Sequence, residues 1–206
     1  MTEPSNRAAG HGCRLRGFTL VELVITIVVL AVLAAAAMPS FMGLIRRNEV
    51  TSQANNLLAD LQYARSEALT RRAFVSLCPR APDAGAADES CGDADSDNFD
   101  GGWLVYAASS AHAAYDSSDA DHPLLRLTAI PATVSMRAGD GGILTFNSRG
   151  ELVGNDGDVV LAACYRSGSD TAAAGESSSI VPGKQVRVAS SGRVAVSNFG
   201  EDSSCG

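Results

Sequence analysis

The sequence predicts an α+β fold: one long N-terminal helix packed on an antiparallel β-sheet or pair of sheets. Three observations point there. An apolar run from Phe18 to Met38 has the length of a membrane-spanning helix. Apolar residues then recur at spacings of three and four to about Thr70. From Ala73 onward, short β-patterned runs alternate with Gly, Ser and Asp.

The chain has 206 residues, enough for one domain with a real core plus an anchor. Its apolar content is 46%, unevenly spread: Glu22 is the one charge between Phe18 and Met38, whereas residues 81–100 are mostly Asp, Ala, Gly and Ser. Net charge is −7; residues 1–17 hold Arg7, Arg14 and Arg16 against Glu3, a balance of +2, and the remainder carries −9. An acidic body argues against non-specific nucleic-acid binding through net charge. The basic head beside an apolar run keeps the N-terminal side cytoplasmic.

The first element spans 21 residues, about 31 Å as a helix, which matches the bilayer core. A cleaved secretory signal would use Arg14 and Arg16 as its basic region and the Ala34–Ala37 stretch as its cleavage site. A plain membrane anchor also fits the length. Glu22 separates these from a third reading. A carboxylate in an apolar segment costs roughly 2.5–3.5 kcal/mol at the helix centre, less near an end. Neither a signal nor a simple anchor uses it. A subunit packed beside identical helices does, because a neighbour's newly exposed Phe18 amine neutralises it and sets axial register.

The helix continues past Pro39, where the missing hydrogen bond predicts a kink near Ala35. Phe41, Leu44, Ile45, Ala54, Leu57, Leu58, Leu61, Ala64 and Ala68 form its apolar positions. Arg46, Arg47, Asn48, Glu49, Gln53, Asp60, Arg65 and Arg71 lie between them, on the expected polar side. Candidate strands follow at 74–77, 103–107, 124–129, 133–137, 143–147, 159–165, 185–189 and 194–197. No internal repeat is evident. Cys13 lies in the basic head, which leaves Cys78, Cys91, Cys164 and Cys205 for the body. An even set on an exported side implies two disulfides. Of the three pairings, the expectation is Cys78–Cys91 with Cys164–Cys205.

Gly17-Phe18-Thr19-Leu20-Val21-Glu22, behind a basic head and ahead of about twenty apolar residues, resembles the signal of type IV prepilins and type II secretion pseudopilins. The resemblance implies a pilin-like fold, cleavage by a prepilin peptidase between Gly17 and Phe18, and N-methylation of Phe18. Pro39 matches a helix-kinking proline common in pilins. The stretch from Asn55-Asn56-Leu57-Leu58 through Ala64-Arg65-Ser66-Glu67-Ala68 is similar to the helix of the GspH/FimT group. Gly102-Trp103-Leu104-Val105-Tyr106, Leu144-Thr145-Phe146 with Gly150, and Gly192-Arg193 ahead of Cys205 extend the likeness.

That group implies a minor subunit that primes or caps a filament, with other pilin or pseudopilin subunits, prepilin peptidase and the inner membrane as partners. The implied organisation is a leader at 1–17, a transmembrane half-helix at 18–38, an amphipathic half at 39–72 and a periplasmic β-rich domain at 73–206. The four body cysteines favour a FimU-like pilin. A GspH-like pseudopilin of type II secretion and a FimT-like DNA-uptake subunit stay open, as does a periplasmic protein with an ordinary signal peptide.

The remaining constellations have plainer readings. Asp93 to Gly101 places carboxylates on alternate residues, as calcium sites do. An EF-hand loop needs Gly sixth and Glu twelfth, where this chain has Asn98 and Leu104. A solvated acidic loop is therefore expected, with no metal and no cofactor. Arg187 and Arg193, with Lys184 nearby, are candidate DNA contacts, since FimT-type subunits use a Gly-Arg-x-Arg element. Here Ala195 replaces the second arginine, and ordinary surface arginines are the favoured reading. Trp103 is expected as a core anchor. His11, His112 and His122 fall in no catalytic motif, and no nucleophile elbow or phosphate loop appears, so an enzyme is not expected.

Overall fold

A computed structural model of the chain describes residues 17–81, 89–93, 96–139, 141–168 and 173–206. The expected leader up to residue 16, with Cys13, and the residues Ala94 and Asp95 of the acidic stretch lie outside the described residues. The chain divides into two compact units between Phe41 and Met42.

Helix α1 runs from Leu20 to Arg71, 52 residues, and its backbone stays helical across Pro39. Within the first unit the described side chains are all exposed, Leu20 through Leu33 among them. The segment reaches a mean hydropathy of 2.8 and is long and apolar enough to cross a membrane. The far end closes locally: Arg72 adopts φ 55° and Ala73 N–H donates back to Ala68 O at 3.3 Å. That is the left-handed cap geometry that satisfies terminal helix carbonyls, formed here without glycine.

The second unit holds two antiparallel sheets. One comprises β1 (Phe74–Pro79), β2 (Trp103–Ala108), β3 (Leu124–Thr128), β5 (Leu144–Phe146) and β6 (Leu152–Val153), in the order β3-β2-β1-β5-β6. The other is centred on β7 (Val159–Tyr165), which pairs with β4 (Val134–Ala138) and with β9 (Lys184–Val188). The strands β8 (Glu176–Ser177), β10 (Val194–Asn198) and β11 (Ser203–Ser204) complete it. The eight sequence-derived strands all appear, with ends shifted by up to two residues. Strands β6, β8 and β11 escaped, because two residues cannot display an alternation.

Helical spacing puts Val50, Ala54, Leu57, Leu61, Ala64 and Ala68 on one stripe, and all six are fully buried. They share one core with Val75, Leu77, Trp103 and Val105 of the first sheet and with Met136, Leu161, Ala163, Val186 and Val188 of the second. The three alanines keep the helix close to both. Strand alternation sends the intervening residues outward. Cys78, Leu104 and Tyr106 form a second apolar cluster, and Ala162, Cys164 and Cys205 a third. Each outer cluster contains a disulfide: Cys78–Cys91 at a Cα separation of 5.7 Å and Cys164–Cys205 at 6.0 Å.

Candidate functional site

The assembly segment starts with three residues ahead of the helix. Gly17 and Phe18 are non-helical and exposed, Phe18 by 80%. The expected cleavage bond therefore lies outside regular structure. Thr19 caps the helix: its Oγ1 accepts from Glu22 N–H at 3.2 Å, and its carbonyl accepts from Leu23 N–H at 3.1 Å. Thr19-x-x-Glu22 is a capping-box spacing, so Glu22 also sits in the first turn, where the helix dipole favours a carboxylate. Glu22 thus has a second role beside its expected one in register, and Thr19 is a functional residue that the local spacing already signals. Glu22 is exposed within the single chain, surrounded along the helix by exposed Leu20, Val21, Leu23 and Val24.

The second half of α1 carries the seam between helix and sheets, and here the expected polar side needs correction. Asp60 is buried, with 3% of its surface accessible. Its Oδ2 accepts from the Trp103 indole N–H at 2.8 Å and the Thr128 hydroxyl at 2.7 Å, and its Oδ1 accepts from Arg126. Arg126 in turn lies over the Tyr63 ring, 4.3 Å from its centroid. Three donors converge on one carboxylate, which is what makes burying it tolerable.

Arg65 reaches two turns of the body, donating to Gly150 O at 2.9 Å and Ser191 O at 3.3 Å. Arg46 stacks on Tyr165 at 4.8 Å, Arg47 donates to the carbonyls of Ser179 and Ile180, and Glu49 accepts from Thr133. Thus five charged residues lying between the apolar positions hold the helix to the β-body. Charge alone does not show which way a helical residue points when a partner strand supplies donors.

The glycines of the family-like motifs serve the same seam. Gly192 has φ 77°, and a Cβ there would collide with the carbonyl of Gly150. Only glycine lets the two turns touch while Arg65 bridges them. Gly102, at φ 96°, brings the start of β2 against the Thr128 carbonyl, beside Trp103. Trp103 itself is fully buried.

The other candidates stay apart. Arg187 lies on β9 with Asp158 at 3.6 Å and faces Ala195 across the ladder. Arg193 is in the turn before β10, not on a strand, and Lys184 binds Asn198. In the acidic stretch, Phe99 is fully buried. Asp100 accepts from Met136 N–H at 2.8 Å and pairs with Arg137 and the buried Arg166. Its carboxylate is therefore occupied by arginines. Among the described residues no three His, Cys, Asp or Glu side chains are grouped to hold a metal. His122 pairs with Asp119 at 2.7 Å, which holds that carboxyl below its usual range. His112, Asn155 and Asp156 line an open depression of about 400 Å³. Burial pushes the Tyr106 hydroxyl well up, and it donates to Ala113 O at 2.7 Å.

Compared with known proteins, residues 53–192 match the family of the type II transport protein GspH. The chain belongs to the GspH family. Residues 14–38 match the prokaryotic N-terminal methylation motif. Two crystal forms of the type IV minor pilin FimU of Pseudomonas aeruginosa (strain PAO1) are similar structures. One is 23% identical, with a TM-score of 0.49, over 73% of this chain and 90% of FimU. The other is 21% identical, with a TM-score of 0.46, over 71% and 91%. No curated protein matches the sequence. The GspH-family match spans five residues of the seam, Asp60, Arg65, Trp103, Gly150 and Gly192. With the methylation motif ahead of it, the chain is a minor pilin or pseudopilin subunit of a type IV pilus or type II secretion system. Such subunits assemble with other pilins and are filament parts, not known as enzymes.

Proposed function

We propose that this GspH-family chain is a minor pilin that primes or caps a type IV pilus-like filament. It enters the inner membrane with its leader inside, is cut between Gly17 and Phe18 by prepilin peptidase, and is methylated on Phe18. The β-rich body resides in the periplasm. Assembly moves the apolar half-helix from lipid into a helix-packed filament core, where close packing and dispersion replace lipid contacts. Glu22 accepts the Phe18 amine of the adjoining subunit and so fixes axial register.

The observation that carries this reading is the methylation motif laid over an apolar helix whose first turn holds a lone carboxylate. Mass spectrometry of the processed chain tests it: the expected N-terminus is methylated Phe18, and one beginning at Met38 would mean an ordinary signal peptide. Glu22→Ala should leave export and cleavage intact while filament incorporation drops at least tenfold. Normal incorporation would remove Glu22 from the register role.

The family description, a type II transport protein, favours a second reading as a secretion pseudopilin. Deleting the gene separates the two. Loss of surface piliation and twitching supports the pilus, and loss of protein export supports the pseudopilus. DNA uptake is the least supported role, since Arg187 faces Asp158 and Ala195 rather than a second arginine. A low-salt shift of duplex DNA, abolished by Arg187→Ala with Arg193→Ala, would restore it.

A further inference from the structure

Outside α1, one large apolar side chain stands exposed among the described residues of the body: Ile180, at 65%. It sits on the tight turn between β8 and β9, in Ser177-Ser178-Ser179-Ile180-Val181-Pro182. The turn is well fixed. Ser178 N–H donates to Val181 O at 3.1 Å, Val181 N–H to Ser178 Oγ at 3.0 Å, and Gly183 N–H to Ser177 Oγ at 2.9 Å. Arg47 adds two bonds from the helix, to the carbonyls of Ile180 and Ser179. The turn also lies against α1 itself, since a Cβ on Gly43 would touch Ile180 Cγ2 at 3.4 Å. Around that point the helix exposes Met42, Leu44 and Ile45. An ordered turn is thus held beside the last apolar turn of the helix, with its isoleucine uncovered.

We infer that this turn is a second membrane contact. Ile180 enters the lipid interface beside Met42, Leu44 and Ile45, and Arg46 and Arg47 meet the phosphates of anionic headgroups. The inference rests on the membrane-anchored reading above. Distances along the chain support it: Phe18 to Ile45 holds 28 residues with no charge but Glu22. That is about 42 Å of helix, the thickness of a bilayer including its headgroups, about 40–45 Å. Arg46 and Arg47 follow at once, where the outer phosphates lie. The charge sign also selects lipid. The chain after residue 17 carries −9, yet this edge presents two adjacent arginines. Arg47 spends two of its five donors on the turn, which leaves others for a phosphate. An aliphatic tip held by an arginine is the composition of an interfacial contact. The turn would limit how deep the helix sits and resist rotation of the body over the membrane.

Photocrosslinking of the full chain in vesicles tests this. The photoreactive amino acid p-benzoylphenylalanine is placed at Ile180, at Leu30 as the membrane control, and at Ser118 as the distant body control. Vesicles contain phosphatidylethanolamine with phosphatidylglycerol, or phosphatidylcholine alone. The expected result is a phospholipid adduct by mass spectrometry at Ile180 and Leu30 but not at Ser118. The Ile180 adduct should fall severalfold without phosphatidylglycerol, and also on Arg47→Ala, while the Leu30 adduct is unchanged. A lipid adduct at Leu30 with none at Ile180 overturns the inference and leaves the anchored reading standing. An Ile180 adduct to a second copy of the chain in place of lipid assigns the turn to a subunit contact and overturns it equally. No lipid adduct at Leu30 defeats the anchored reading, and the inference falls with it.

Discussion

Glu22 and Asp60 are two carboxylates on one helix, one exposed and one buried. Asp60 has its donors within the chain: the Trp103 indole, the Thr128 hydroxyl and the Arg126 guanidinium. Around Glu22 the helix exposes Leu20, Val21, Leu23 and Val24, and its own backbone N–H is taken by Thr19. The contrast separates two uses of an acid on an apolar helix. One completes a fold inside a chain. The other waits for a donor from outside it, and under the proposed function that donor is the next subunit's N-terminal amine.

Substitution at Asp60 gives the largest expected effect. Asp60→Ala leaves the buried Trp103 N–H, the half-buried Thr128 hydroxyl and the exposed Arg126 guanidinium without their shared acceptor, and should destabilise the body by about 3–5 kcal/mol, read by urea unfolding of the detergent-solubilised chain. Glu22→Ala should leave the same unfolding curve within about 0.5 kcal/mol, as expected for a surface site. Equal losses at the two positions would break the comparison. The disulfides come next. Replacing Cys164 and Cys205 by serine should cost about 4 kcal/mol and replacing Cys78 and Cys91 about 3 kcal/mol, because the first pair closes the longer loop. The loops span 41 and 13 residues.

Gly192→Ala, which drives a methyl group into the Gly150 carbonyl, should cost about 2 kcal/mol by the same measurement. The loss should shrink in an Arg65→Ala background, where the two turns are no longer bridged. Alkaline pH is the mildest probe. Burial raises Tyr106, so its hydroxyl stays neutral in the fold while the unfolded chain ionises it. Its stabilising contribution is therefore complete below the ordinary tyrosine value near 10 and is lost as pH rises above it. Tyr106→Phe should flatten that alkaline decline.

The membrane-length helix, the burial stripe from Ala54 to Ala68 and eight of the eleven strands among the described residues were readable because each rests on periodicity. Trp103 was readable as a core residue from its apolar strand. Its indole partner was not, since Asp60 looks like any other polar helix residue until a strand 43 positions away is folded against it. The same holds for Arg46, Arg47, Glu49 and Arg65, whose partners all lie 84 to 133 residues on. Asp100 shows the limit from the other side: one member of an acidic run is claimed by Arg137 and Arg166, and composition cannot say which. Thr19 is different, because its capping-box spacing to Glu22 was present in the local sequence.

The bond from Trp103 to Asp60 has a practical consequence. The chain holds one tryptophan, and it lies at the junction of helix and first sheet with its N–H engaged. Tryptophan fluorescence therefore comes from that junction alone. Its emission should sit at short wavelength in the native protein and move red when the helix parts from the sheet, giving an unlabelled optical signal for whether the body stays intact during filament growth.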